Sequence, residues 1–89
     1  MTNEEIIANI AAEIYGEDAV RQMLERGEEP PLHSAIGWRM RGPYKVKEEE
    51  KNKGIEAKLW KVRKVKDSGA EQFYKAKTYL YREDQVYRD

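Results

Sequence analysis

The residues best suited to chemistry lie in two runs in the second half of the chain. Between Ala57 and Lys66 there are five bases and no acid, with Trp60 among them. The second run, Phe73 to Tyr81, is rich in lysine and tyrosine. Cations tracking a phosphate backbone, interleaved with aromatic faces on which bases stack, are what sequence-tolerant binding of single strands needs. Each stacked base contributes about 1–3 kcal/mol. The candidate nucleic-acid-binding set is therefore Lys58, Lys61, Arg63, Lys64 and Lys66 with Lys75, Lys77, Tyr79 and Tyr81. Lysines on an exposed strand also protect against edge pairing, which is the structural alternative for the whole set. Trp60 is expected mainly to serve the core, with stacking as its second use.

Nothing in the chain assembles a catalytic centre. The single histidine, His33, has no sequence partner that would make it a base. There is no Ser-His-Asp order, no metal-spaced cluster and no glycine loop to cradle phosphate. Glu48-Glu49-Glu50 are adjacent carboxylates in a turn, poor ligands for a divalent ion. We expect a binding protein without catalysis, cofactor or metal.

Several elements must position the basic runs. Thr2-x-x-Glu5 is a capping box, and Ile6, Ile7, Ile10, Ala11 and Ile14 recur at helical spacing behind it. Gly16 ends that helix. A second spans about Asp18 to Arg26, with Val20, Met23 and Leu24 inward and Gly27 as its stop. Glu28-Glu29-Pro30-Pro31 is a connector, because tandem prolines lack donors and bias their predecessors to extended backbone. Leu32 should enter the core, and Ser34 should cap a short helix to Met40 or Arg41, closed by Gly42-Pro43. Tyr44 to Lys47 alternates as a short strand, and Glu48 to Gly54 is an exposed polar turn.

The central strand runs from Ile55 to about Lys66. Period-two alternation puts Ile55, Ala57, Leu59, Lys61 and Arg63 on one face, with Glu56, Lys58, Trp60, Val62 and Lys64 on the other. The apolar Trp60 and Val62 on the second face imply that both faces are partly covered or that a bulge shifts the register at Leu59-Trp60. After a turn at Lys66 to Ala70, a strand from Phe73 to Tyr81 places Phe73, Lys75, Lys77, Tyr79 and Tyr81 together, and Tyr74, Ala76, Thr78 and Leu80 opposite. Arg82 to Tyr87 should form a last helical turn. Helices followed by an antiparallel hairpin or three-stranded sheet make an α+β order. The expected architecture is a helical hairpin plus a short helix packed on a small antiparallel β-sheet.

Eighty-nine residues suit one domain, 1–89, with a modest core. The formal net charge is zero, but residues 1–30 hold eight acids against two bases, a balance of −6, and residues 31–89 hold the compensating +6. An acidic helical hairpin, 1–27, thus precedes a basic remainder. The absence of cysteine and of any long apolar run suggests a reducing cytosolic or host-cell interior, with no membrane association.

Residues 31–86 carry Pro31-Leu32-His33-Ser34, Trp38, Gly42, Tyr44, Val46-Lys47, a charged turn, Leu59-Trp60-Lys61, Phe73-Tyr74, Ala76-Lys77, Tyr79-Leu80-Tyr81 and Gln85-Val86 in order. This pattern resembles small proteins of phages and mobile elements in Gram-positive bacteria. Their core in turn resembles the N-terminal single-strand-DNA-binding domain of ArdC-type antirestriction proteins. The resemblance implies an ArdC-like α+β core at 31–86, single-stranded DNA as ligand and a structural hydrogen bond for His33. It implies no protease activity, because the metallopeptidase-like portion of full ArdC proteins is absent. The family's Lys-Lys-Gly-Glu-Lys turn is here Lys47-Glu48-Glu49-Glu50-Lys51-Asn52-Lys53-Gly54, longer and more acidic. Three consecutive glutamates repel phosphate at that point.

Two partner classes follow. Nucleic acid, preferably single-stranded DNA, would use the basic aromatic hairpin. Alternatively, a host or phage protein, such as a defence or DNA-processing enzyme, would meet Glu4, Glu5, Glu13, Glu17, Asp18, Glu25, Glu28 and Glu29 through charge complementarity. The exposed aromatics also leave room for a homodimer through sheet edges or faces.

Overall fold

Thr2 opens the first element of the computed structural model, which describes residues 1–89. Its hydroxyl accepts the Glu5 amide proton at 3.2 Å, and the Glu5 carboxylate accepts the Thr2 N–H at 3.3 Å. This reciprocal cap starts α1, Asn3–Tyr15. Gly16, at φ 96° and ψ 145°, turns the chain sharply into α2, Glu17–Glu25. Val20 is buried between the two helices' shared face and the core, whereas Leu24 is 53% exposed. Leu24 was expected inward; α2 lies at the periphery and packs chiefly on α1, so its last turn has no layer to bury it.

After the proline connector, Leu32–Ser34 form β1 and Ala35–Met40 form α3. Ser34 caps α3 by accepting the Gly37 amide proton at 3.0 Å. Strand β2 is Tyr44–Val46, and Glu48–Lys53 wind into a 3₁₀ helix in the segment expected to be a turn. The long hairpin then follows as β3, Ile55–Lys64, and β4, Glu71–Arg82. A 3₁₀ turn at Glu83–Gln85 leads to β5, Val86–Arg88. Tyr87 therefore lies in a strand that pairs with β2, and the expected helical turn stops at Gln85.

The α+β order is as expected, and the pairing adds detail. One sheet has the order β1-β4-β3, all antiparallel; the other pairs β2 with β5. The third strand of the main sheet is thus the short Leu32–Ser34 segment, while Tyr44–Val46 leaves to meet the chain's end. Strand β4 is shared by two cores. On one face, Ala11, Val20, Leu32, Ala57 and Leu80 are buried beneath the helical pair, with Ile7, Ile10, Ile14, Ile55 and Leu59 against them. On the other, Trp38, Tyr81 and Val86 pack with Ala35, Tyr44 and Val46. The Trp38 indole N–H donates to the Tyr81 carbonyl at 2.9 Å, and its ring meets His33 and Tyr44 edge-on at 4.9 and 5.3 Å.

Both cores lie at one end of the hairpin. From Trp60 through Lys75 every residue is exposed. The outer part of β3 and β4 is consequently a free two-stranded arm. The radius of gyration, 14.7 Å, reflects it. A compact chain of this length would have about 12 Å.

Candidate nucleic-acid interface

The β3–β4 register runs without interruption from Ile55↔Leu80 to Lys64↔Glu71. No bulge occurs at Leu59-Trp60, and the alternation persists because the outer arm is covered on neither face. The expectation of two partly covered faces holds only near the cores. Directly opposite residues share a face, so the faces can be read as successive rows about 7 Å apart along the arm.

One face carries the rows Glu56 with Tyr79, Lys58 with Lys77, Trp60 with Lys75, Val62 with Phe73, and Lys64 with Glu71. Tyr79 is 48% exposed, Trp60 42% and Phe73 63%. Trp60 thus stands at the surface, contrary to the expectation that it chiefly fills the core. Its row lies beyond the region that α3, β2 and β5 cover. Lys75 places its ammonium 5.0 Å from the centre of the Trp60 ring, a cation–π contact.

The opposite face carries Lys61 with Tyr74 and Arg63 with Gln72. Arg63 donates to the Gln72 carboxamide at 3.0 Å and lies over the Tyr74 ring at 5.4 Å. Of the nine candidates, the structure brings Lys58, Lys64, Lys75, Lys77 and Tyr79 onto one surface. Lys61 and Arg63 belong to the reverse side of the same arm, and Lys66 lies at its turn.

Tyr81 is separated from this group. It is buried, and its hydroxyl donates to the Lys51 carbonyl at 2.8 Å, so its ring serves the second core. Gly54 makes room for it: a Cβ there would sit 2.8 Å from Tyr79 Cβ and 2.9 Å from Tyr81 Cζ. Phe73, the most exposed aromatic on the arm, was absent from the candidate set. Its signal was present, since alternation places it on the side of Lys75, Lys77 and Tyr79.

The arm is strongly cationic. Residues 57–77 hold seven bases and two acids, a balance of +5. Only Lys77 has a carboxylate partner, Glu56 at 3.0 Å, whose hydrogen bond and charge raise the lysine pKa. Lys58, Lys61, Arg63, Lys64, Lys66 and Lys75 form no ion pair. Lys58 and Lys77 stand directly opposite, and the Glu56 carboxylate on Lys77 offsets part of their like-charge repulsion.

Arg41 grips the Glu29 carboxylate through two hydrogen bonds of 2.7 Å and holds its pKa below the usual value. Buried His33 sits beside this pair, its pKa lowered by burial and then by the Arg41 charge. In the acidic 3₁₀ helix, Glu48 pairs with Lys51 at 2.8 Å, and Glu50 has Lys53 at 3.5 Å. No group of three or more acidic, histidine or cysteine side chains is arranged to hold a metal. No helix is long and apolar enough to cross a membrane.

Compared with protein-family models, curated proteins and solved structures, the chain gives no match.

Proposed function

We propose that the protein is a non-catalytic binder of single-stranded nucleic acid, preferably DNA, and that the β3–β4 arm is its contact surface. The observation that carries this reading is the face holding Tyr79, Trp60 and Phe73 among four lysines, three of which form no ion pair. Trp60 and Phe73 occupy adjacent rows, about 7 Å apart. Each can receive one base of an extended strand. Lys58, Lys64 and Lys75 flank the path for phosphate contact, and Lys77 joins them when it leaves Glu56. A base arriving on Trp60 displaces the Lys75 ammonium from the ring and frees it for the backbone.

Two further points support the reading. An isolated two-stranded hairpin is marginally stable in water, so a long uncovered arm gains from a ligand that lies along it. The resemblance of residues 31–86 to ArdC-type N-terminal domains points to the same ligand class, and to a phage or mobile element acting in a bacterial cytoplasm.

The test is fluorescence anisotropy with a labelled single strand at two salt concentrations, with duplex as control. Binding at micromolar or tighter affinity is expected, stronger for the single strand. Four phosphate contacts give a slope of about −3 in log affinity against log salt, at about −0.7 per contact. Absence of binding at low salt would exclude the reading.

A further inference from the structure

The arm has a second complementary surface, and it lies on the same chain. Glu4, Glu5, Glu13, Glu17, Asp18 and Glu25 are all exposed on α1 and α2. Only Asp18 among them has a basic partner, Arg21 at 2.7 Å on its own helix. Six of the arm's bases are equally unpaired, and no ion pair joins the helices to the arm within the molecule. The acidic helices and the basic arm therefore carry opposite charges that form no ion pair with each other within the molecule. Trp60, Val62, Val65, Phe73 and Tyr74 add exposed apolar area to the arm, and Leu24 adds it to α2.

We infer that the arm of one molecule docks on the acidic α1–α2 pair of a second copy of this chain. Two copies related by a two-fold axis each give an arm and receive one, which closes the assembly as a dimer. Charge selects the surface, and the apolar residues supply the area removed from water. The contact rests on the charge distribution and the free arm, independently of whether nucleic acid is the ligand. Because it uses the arm's unpaired cations, it weakens as salt screens them.

Sedimentation velocity on the full chain at low and high salt tests this directly. A concentration-dependent dimer at low salt that becomes monomer at high salt is expected. A monomer at every concentration in low salt would overturn the inference. Two charge-reversed variants sharpen it, one with Lys61→Glu, Arg63→Glu and Lys64→Glu, the other with Glu13→Lys, Glu17→Lys and Glu25→Lys. Each alone should remain monomeric, and an equimolar mixture should restore the dimer, because each opposing pair of surfaces regains complementary charge. A dimer that survives both reversals, or folded variants (checked by circular dichroism) that fail to associate when mixed, would refute the arrangement. A variant with Glu13→Gln, Glu17→Gln and Glu25→Gln keeps the arm and adds no cation, so its oligonucleotide affinity reports the nucleic-acid reading separately.

Discussion

Asn3 binds Trp60 as a neighbouring strand would. Its carboxamide oxygen accepts the Trp60 amide proton at 2.7 Å, and its nitrogen donates to the Trp60 carbonyl at 3.0 Å. Strand β3 is the edge of its sheet, and this one side chain occupies the outward pair of backbone groups at the root of the arm. The Trp60 indole also donates to the Met1 carbonyl at 3.1 Å. The first three residues thus tie the root of the arm to α1.

Replacing Asn3 by alanine should loosen that root without disturbing either core. Two exposed hydrogen bonds at the lower end of the usual range amount to about 1 kcal/mol together. Urea denaturation should show this loss, and hydrogen exchange should show lower protection at the Trp60 amide. Unchanged protection there would show that the amide is held by something other than Asn3.

Phe73→Ala separates affinity from stability. The ring is 63% exposed, so its removal should leave the denaturation midpoint nearly unchanged. If it stacks a base, affinity for a single strand should fall about 5- to 150-fold, from 1–3 kcal/mol per stacked base. Equal affinity of mutant and wild type in anisotropy titration would remove Phe73 from the interface.

Tyr81 and Gln85 should behave in the opposite way. Tyr81→Phe deletes the hydrogen bond to Lys51 and should cost about 1 kcal/mol. Gln85 is almost fully buried, accepting the Arg82 amide proton at 2.8 Å and donating to the Lys53 carbonyl at 3.1 Å. Gln85→Leu strands both backbone groups and should cost about 1–3 kcal/mol. Oligonucleotide affinity of the folded fraction should be unchanged in both. A drop for Tyr81→Phe at full folding would return Tyr81 to the binding surface.

Acid should weaken the connector in two steps. Folding depresses the His33 pKa, so the neutral form is favoured and its contribution, complete above the ordinary value of 6.5, declines as pH falls through the lowered folded value. The Glu29 carboxyl is also depressed, by its hydrogen bonds from Arg41; its contribution is present above the ordinary value of 4.5 and is lost as pH falls through the folded one. Denaturation midpoints measured across pH should decline in that order. His33→Gln should remove the first decline and leave the second.

Local chemistry made much of the fold legible. The Thr2 capping box, the isoleucine stripe of α1, the Ser34 cap and the alternation of β3 and β4 each follow from neighbouring residues. The long-range choices do not. Nothing local indicates that Leu32–Ser34 would join β4 while Tyr44–Val46 would pair with the chain's last strand. Trp60 shows the same limit at the candidate site. Period two fixes its face, but whether that face is covered depends on how far α3, β2 and β5 extend along the hairpin. Tyr81 lies inside that boundary and is buried, while Phe73 lies beyond it and is free.

The unbroken pairing of β3 with β4 makes the arm's length adjustable. Because neither core reaches the outer rows, two residues can be removed from each strand, for instance Val62-Arg63 with Gln72-Phe73, and every remaining side chain keeps its side. Removing one from each would send the outer lysines to the wrong side. The reach of the arm is thus graded in steps of about 7 Å, the length of two strand residues. Shortened forms would act as a molecular ruler for the proposed contact: if the arm binds a single strand, the number of nucleotides covered falls with each step.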